Sequence, residues 1–210
     1  MDSDKNKKIT RRKFIKGVAG TAVCCTCFSL DCRGPSEGDS ELETEDDKGK
    51  VHLAAACGTY CGACPAYINK HGEGEVNYPS EPINDHIDSF VNMMENLQCD
   101  GCLSGGTLAS HCQSCNIRLH ALDTQNDSRC TYCEELPCYR ITNLINQGNY
   151  PHRQEYLPNL EKIREMGINE WVIYEEERWS CPRCGQSISW YDTRCTACGE
   201  PRSEQLFDLP

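Results

Sequence analysis

The clearest hydrophobic pattern in the chain predicts a helix within residues 80–98. Apolar side chains recur there at helical spacing and fall on one face, namely Ile83, Ile87, Phe90, Val91, Met94 and Leu97. The hydroxyl of Ser80 can cap the N-terminus of this helix. An apolar stripe of this kind is typical of a face that packs into a core, so we expect these side chains to be structural.

Four further segments have weaker helical patterns, at residues 114–122, 137–147, 158–166 and 169–178. Gly148 and Gly167 are expected to end the helices that precede them, and Asn169 is expected to open the last one. Ile168 and Trp171 are expected to pack inward. The intervals between cysteine groups vary along the chain, so the segments do not form a structural repeat.

A different pattern follows near the C-terminal end, where "CPRCGQSISWYDTRCTACGE" carries two CxxC pairs with β-favouring residues between them. Each pair is followed by a glycine, which relieves the backbone of a tight turn. Two such turns joined by a short hairpin supply four thiolates in the tetrahedron that zinc prefers, and the pattern resembles a zinc ribbon. The predicted ligands are Cys181, Cys184, Cys195 and Cys198. A pair of disulfides formed after export is the alternative.

The cysteine content changes the picture of how such a fold is held together. The 210 residues include 18 cysteines, and only 38% of the chain counts as hydrophobic even with the cysteines included. Metal or disulfide cross-links must therefore supplement a modest apolar core. We predict a small, mainly α-helical, metal-stapled cysteine-rich domain at residues 51–150, a helical connector at 151–178 and a small β zinc ribbon at 179–202.

Ten central cysteines are predicted to be metal ligands, although their grouping stays open. They are Cys57, Cys61, Cys64, Cys99, Cys102, Cys112, Cys115, Cys130, Cys133 and Cys138. Repeated CxxC pairs suit the tetrahedral demand of zinc, which is the favoured metal. The run from Cys57 to Cys64, which a proline follows, suits an iron–sulfur cluster about as well, so a cluster is the alternative. His111 and His120 are weaker candidate ligands, and disulfides fit least well because CxxC partners would close very small rings.

Four blocks of the central segment together resemble the prokaryotic cysteine-rich family catalogued as domain of unknown function 3795. The blocks are "CGTYCGACPAY", "CDGCLSGG", "HCQSCNIRLHAL" and "CTYCEELPCYRI", and the resemblance covers about residues 55–147. The resemblance implies that these cysteines bind metal. It implies no particular activity, because none is established for the family.

Residues 1–33 resemble a twin-arginine export signal. Arg11 and Arg12 precede a lysine and Phe14, and the weakly apolar run that follows is too short to span a bilayer comfortably. The resemblance implies export of the folded protein by the twin-arginine translocase to the periplasm or cell envelope, with membrane contact only through an N-terminal anchor. Four cysteines near this run match a lipid-attachment site poorly, namely Cys24, Cys25, Cys27 and Cys32. The acidic residues 34–50 are predicted to form a disordered tether.

Charge and motif content narrow the function to two classes. The net charge is −11 and acidic residues dominate after the leader, which disfavours nucleic-acid binding. No hydrolase motif appears, and the chain lacks the barrel pattern of the radical S-adenosylmethionine enzymes whose three-cysteine spacing it shares. The favoured hypothesis is an exported structural-zinc protein that acts as a binding or scaffold protein for an unidentified envelope protein. The alternative is a redox protein, either an iron–sulfur electron carrier or a thiol-dependent oxidoreductase.

Overall fold

The computed structural model describes residues 50–73 and 75–210, and these residues are mainly helical, as predicted. The predicted export signal and residues 34–49 of the predicted tether lie outside the described residues. The described part of the chain contains the α-helices α1 (Pro65–His71), α2 (Asp85–Glu95), α3 (Ser110–Gln113), α4 (Asn116–Thr124), α5 (Tyr139–Asn146), α6 (Pro151–Gln154), α7 (Tyr156–Met166) and α8 (Ile168–Arg178). Val51–Leu53 and Cys61–Ala63 form short 3-10 helices. None of these described helices combines the length and the apolar character needed to cross a membrane.

Backbone pairing is sparse in the described residues, which contain isolated β-bridges and no β-strand. The bridges pair Ala54 with Tyr60, Ser180 with Ser187 and Arg194 with Pro201. The mainly helical part of the predicted fold is therefore confirmed. The β character of the segment at 179–202 stays a prediction, with one bridge beside each of its CxxC pairs.

Helix α2 contains the predicted apolar stripe, but the predicted N-terminal cap is wrong. Asn84 caps the helix, because its side-chain oxygen accepts a hydrogen bond from the backbone N–H of Ile87 at 3.0 Å. Ser80 instead donates a hydrogen bond to Asp192 at 3.0 Å, which ties the segment before α2 to the C-terminal region. Ile87 and Met94 are buried, and the other stripe residues are partly buried against the core.

The remaining predicted helices are present with shifted boundaries. Helices α4, α5 and α7 overlap the predicted segments, and Gly148 and Gly167 follow α5 and α7 with φ angles of 68° and 85°. Gly167 also stands directly before α8, so the prediction that Asn169 opens this helix is wrong. Trp171 is fully buried and Ile168 is partly buried, as expected.

Three short helices, α1, α3 and α6, have no clear hydrophobic pattern in the sequence. Helices α1 and α6 begin at Pro65 and Pro151, whose fixed φ suits the first helical position. Cys64, Cys115 and Cys138 stand directly before the first residues of α1, α4 and α5. Three of the central cysteines are therefore positioned by helix starts rather than by strands or hairpins.

One core joins the helices to the C-terminal segment. Trp171 and Trp179 are its largest fully buried side chains, and Ile188 and Trp190 from the C-terminal segment belong to the same cluster. The backbone N–H of Trp190 donates to the carbonyl oxygen of Ala63 at 3.1 Å, and that of Ile188 donates to the carbonyl oxygen of Trp179 at 2.7 Å. The C-terminal cysteines thus belong to the same compact unit as the central ones.

Candidate metal centres

The four C-terminal cysteines lie on two backbone turns of the same form. In the first turn the carbonyl oxygen of Cys181 accepts a hydrogen bond from the N–H of Gly185 at 2.8 Å, and in the second that of Cys195 accepts from Gly199 at 2.9 Å. Both glycines have positive φ angles, 79° and 74°, which L side chains rarely adopt. The glycine after each CxxC pair is therefore required by the geometry of the turn, as the sequence pattern indicated.

These two turns bring four thiols together. The sulfur atoms of Cys181, Cys184, Cys195 and Cys198 all lie within 4.8 Å of one another. The Sγ atoms of Cys181 and Cys198 are 3.7 Å apart, and those of Cys184 and Cys195 are 3.6 Å apart. Four sulfurs in a tetrahedron around one ion, at the zinc–sulfur distance of about 2.3 Å, would lie roughly 3.8 Å from one another. The group therefore has the dimensions of a four-thiolate site for a single metal ion.

Backbone amides stabilise negative charge in this group. Burial disfavours the thiolate of Cys181, but hydrogen bonds from the backbone N–H of Cys184 and from the thiol of Cys198 help to lower its pKa to about 7. Burial raises the pKa of Cys195 to about 12, although backbone N–H groups donate to this sulfur as well. A cation that binds here replaces the thiol protons and removes the cost of burying the thiolates.

Seven of the ten central cysteines line one cavity of about 340 Å³ among the helices. They come from three separate blocks of the sequence, namely Cys57, Cys61 and Cys64, then Cys99 and Cys102, then Cys112 and Cys115. Cys61, Cys99 and Cys102 are buried, and the others are half-buried. The structure therefore brings together three cysteine blocks that the sequence separates by up to about fifty residues.

The cavity thiols form two sets of neighbours that share Cys61. The Cys99 set consists of Cys61, Cys64, Cys99 and Cys112, in which each thiol interacts electrostatically or by a hydrogen bond with two others. The Cys102 set consists of Cys57, Cys61, Cys102 and Cys115, in which the backbone N–H of Cys102 donates to Sγ of Cys61 at 3.4 Å. Each set draws on all three sequence blocks, and Cys61 lies between them.

The cavity thiols are spread further apart than the C-terminal ones. Within residues 50–73 and 75–210, the C-terminal group is the one set of three or more potential metal ligands whose atoms all lie within 4.8 Å of one another. The central thiols do not meet that limit, although seven of them face the same space. The two candidate centres therefore differ in size as well as in position.

Backbone N–H groups also donate to the cavity thiols. Burial raises the pKa of Cys64 to about 12, while hydrogen bonds from the backbone of Tyr67 and Ala66, at the start of α1, oppose this effect. A hydrogen bond from the thiol of Cys112 lowers the pKa of Cys99 to about 6. These contacts hold the sulfurs in fixed orientations toward the cavity and favour their ionised forms.

Two arginines and a histidine complete part of the cavity wall. Arg140, Arg153 and His111 line the cavity, whereas His120 does not. The buried Nε of Arg153 has no hydrogen-bond partner in the described part of the chain, although its Nη1 donates to the carbonyl oxygen of Leu144 at 3.1 Å. Sequence reasoning missed both arginines, because a basic residue on a short helix usually indicates a solvent-exposed face.

The last three central cysteines form a separate group outside the cavity lining. Cys130 is buried, while Cys133 and Cys138 are half-buried. Burial, with smaller effects of the neighbouring Cys133, Cys138 and Cys115, raises the pKa of Cys130 to about 12. Cys115 is thus the cavity cysteine that also neighbours this group.

Comparison with known proteins finds one family model that matches part of the chain. Residues 53–143 match the model of a family described as "Protein of unknown function (DUF3795)". The matched region contains all ten central cysteines and ends before the C-terminal four, which supports the family resemblance carried by the cysteine blocks. No curated protein and no solved structure matches the chain. The two candidate centres are therefore the features of the chain that bear on its function.

Proposed function

We propose that this chain is an exported metal-binding protein in which Cys181, Cys184, Cys195 and Cys198 hold a structural zinc ion. The observation that carries the proposal is the separation of their sulfurs, 3.7 Å and 3.6 Å across the two turns. These distances match the edge of a zinc–thiolate tetrahedron, about 3.8 Å from the zinc–sulfur bond length. Four thiolates leave no open position for a substrate, which is the property of a structural site.

The structural role of this ion would be to fix the C-terminal segment against the helices. The thiol of Cys181 is buried, and Trp190 and Tyr191 between the two turns are buried as well. Backbone N–H groups of Asn77 and Tyr78 donate to the carbonyl oxygen of Thr196 at 3.0 Å and 2.9 Å. An ion that locks the two turns together therefore also organises a surface contributed by both parts of the chain.

The isolated bridges beside the turns support a ribbon-like arrangement of this segment. Ser180 pairs with Ser187 across the first turn, and Arg194 pairs with Pro201 across the second. Each bridge closes the backbone around one CxxC pair, as in a zinc ribbon. The finer assignment of a β zinc ribbon rests on these bridges together with the cysteine spacing.

The cellular part of the proposal rests on the sequence before residue 34. A twin-arginine signal would deliver the folded, metal-loaded protein to the cell envelope, where it would act as a binding or scaffold protein for an envelope partner. A structural ion suits this role because its binding free energy, on the order of 10–16 kcal/mol for zinc-finger sites, becomes folding free energy. The protein would then keep its fold with a core of modest size.

Metal analysis of variants with one residue replaced tests the zinc assignment. The full-length chain is produced with zinc in the medium and purified without air, and zinc per chain is measured for the wild type, Cys184→Ala and Thr196→Ala. Thr196 lies between Cys195 and Cys198, so its replacement changes the same turn without removing a ligand. We expect Cys184→Ala to lose one equivalent of zinc and Thr196→Ala to keep it. Equal zinc content in the two variants, or iron in place of zinc at this group, would contradict the proposal.

A further inference from the structure

We propose that the central cavity binds an iron–sulfur cluster through the thiolates of Cys61 and its neighbours. This inference goes beyond the zinc site proposed above, because it concerns a different group of cysteines and a different kind of metal centre. It also departs from the zinc that the repeated CxxC pairs favour for the central cysteines. The CxxC pairs in the sequence show how many ligands are present, whereas the folded structure shows how far apart those ligands lie.

The separation of the cavity thiols favours a cluster over a single metal ion. Around one zinc ion all four sulfurs lie about 3.8 Å apart, and in the C-terminal group two pairs of sulfurs are 3.7 Å and 3.6 Å apart with all four within 4.8 Å. Among the described residues, no three of the cavity thiols form such a close group. In a cluster each cysteine binds a different iron atom, so the ligating sulfurs stand further apart than they do around a single ion. A spacing too wide for one ion is therefore consistent with a polynuclear centre.

The size of the cavity also favours a cluster over a single metal ion. The cavity measures about 340 Å³, which is many times the volume of one metal ion. A single bare metal ion would leave most of this space unfilled, whereas a cluster of iron and sulfide fills space with its own atoms. Seven thiols around the cavity also exceed the four that one cluster needs.

The hydrogen-bond donors around the sulfurs suit a negatively charged cluster. Backbone N–H groups donate to Cys61, from Cys102 at 3.4 Å, and to Cys64, from Ala66 and Tyr67. Hydrogen bonds to ligand sulfurs stabilise the negative charge of a cluster and set its reduction potential. The buried Nε of Arg153, which lacks a partner among the described residues, is a donor available to an anionic occupant of the cavity that it lines.

Buried side chains shelter part of the cavity from water. Aromatic side chains line the cavity beside the cysteines, and Tyr156 and Trp190 are both buried. Cys61 and Cys102 are themselves buried, so this side of the proposed centre lies inside the fold. Exposed residues such as Asn116 and Arg140 line the cavity as well, so a cluster here would be sheltered on one side and reachable by solvent on the other.

Reconstitution of the full-length chain tests the proposal. The protein is stripped of metal, given one equivalent of zinc, and then incubated without air with ferric iron, sulfide and a thiol reductant, which supplies the electrons for any ferrous sites, before the excess is removed. We expect the wild type to retain iron and acid-labile sulfide in equal amounts, to become brown, and to give an electron paramagnetic resonance signal after reduction or oxidation. Zinc in the cavity without sulfide, or paired and oxidised cavity cysteines that take up neither metal, would overturn the inference.

The choice of variants identifies the cavity as the site. Cys61 belongs to both sets of neighbouring thiols, so Cys61→Ala removes a ligand whichever set holds the cluster. Cys130→Ala is the matched control, because Cys130 is equally buried but does not line the cavity. We expect Cys61→Ala to lose iron and sulfide and to keep one zinc, and Cys130→Ala to keep all three. Loss of the cluster from Cys130→Ala alone would place it outside the cavity and overturn the inference.

A second substitution covers the case in which Cys61→Ala does not fold. Cys61→Ser retains the volume of the side chain and an oxygen that can bind iron, so we expect a cluster with a shifted absorption and resonance spectrum. A reconstituted Cys61→Ser spectrum identical to that of the wild type would show that Cys61 is not a ligand. The zinc content of the Cys184→Ala variant is read separately, so failure of the C-terminal zinc proposal and failure of this one are distinguishable.

Discussion

The indole of Trp190 lies flat against the imidazole of His152, with 4.3 Å between the ring centroids and 9° between the ring planes. Trp190 stands between the two C-terminal CxxC turns, and His152 belongs to α6. Both side chains line the cysteine cavity. This stacked pair therefore connects the candidate zinc site to the candidate cluster site through direct packing.

Replacement of Trp190 is expected to destabilise the whole unit. Trp190 is buried and its neighbour Tyr191 bonds to His152 through its hydroxyl at 2.6 Å, so Trp190→Ala would leave a cavity in the contact between the two parts of the chain. We expect a loss of about 3–5 kcal/mol in the free energy of unfolding. Chemical denaturation with zinc held in excess measures this loss. Trp190→Phe keeps an aromatic ring against His152 and should lose clearly less; an equal loss would show that the stacking contact is unimportant.

The burial of His152 predicts a specific dependence of stability on pH. Burial, with smaller effects of the nearby Arg153 and His111, holds the pKa of His152 well below its usual range. Below about pH 6.5 the unfolded chain binds a proton at this histidine and the folded chain does not. The free energy of unfolding therefore falls by up to about 1.4 kcal/mol for each pH unit. The stabilising effect is complete above about pH 6.5 and falls as the pH is lowered toward the folded-state pKa.

His152→Phe isolates this contribution. The variant leaves the Tyr191 hydroxyl without its partner, but that penalty is the same at every pH and cancels when slopes are compared. We expect the difference in unfolding free energy between wild type and variant to shrink or reverse as the pH falls from about 7.5 to about 5.5. His111 is present in both proteins, so only its small electrostatic effect on His152 enters the difference. Parallel stability curves for the two proteins would refute the prediction.

Gly58, beside Cys57, is expected to tolerate no side chain. Its φ angle is 89°, and a Cβ would lie 2.5 Å from the carbonyl oxygen of Tyr156 and 3.0 Å from Cγ of Leu160. Gly105 has a comparable φ of 74° with no atom within 4 Å of a Cβ, which makes Gly105→Ala a matched control.

The left-handed backbone alone costs roughly 1–2 kcal/mol for alanine, and forced overpacking adds about 1–3 kcal/mol. We therefore expect Gly58→Ala to lose more unfolding free energy than Gly105→Ala by the overpacking contribution. Thermal or chemical unfolding of both variants checks the ranking. Equal losses would mean that the backbone around Cys57 moves freely enough to accept the methyl group.

The sequence predicted those features that depend on neighbouring residues. The α2 stripe, the glycines that follow α5 and α7, and the two CxxCG turns are all local patterns, and the structure contains them. The cap of α2 was assigned to Ser80 because only the residue type could be judged, whereas Ser80 bonds to Asp192, more than a hundred residues away. A competing tertiary partner of this kind leaves no trace in the local sequence.

The grouping of the cavity cysteines could not be predicted from the local sequence either. All seven of its cysteines were recognised as candidate ligands, but their grouping depends on how α1, α2 and α4 pack. Cys64 and Cys99 come from different blocks, yet they belong to the same set of neighbours. The separation between the thiols, which distinguishes a single ion from a cluster, is a property of the folded chain and has no equivalent in the spacing of CxxC pairs.

Replacement of Arg11 and Arg12 by lysine is expected to keep the protein in the cytoplasm. The translocase recognises the paired guanidinium groups and not positive charge alone, because arginine offers a planar set of donors that lysine lacks. The control variant, Lys7→Arg with Lys8→Arg, also exchanges two basic residues in the leader but leaves the Arg11–Arg12 pair intact. Cell fractionation followed by immunodetection compares the two variants with the wild type.

The metal content of the fractions separates a defect in export from a defect in folding. The C-terminal cysteines are far from the leader in sequence, so the retained Arg11→Lys, Arg12→Lys protein should still carry one zinc per chain when it is purified from the cytoplasm. Retention with normal zinc content would support export of a folded, metal-loaded protein. Envelope delivery of the double-lysine variant at the level of the control would contradict the twin-arginine assignment. Retention of a zinc-free, unfolded chain would contradict it as well, since the substitution would then act on folding and not on recognition by the translocase.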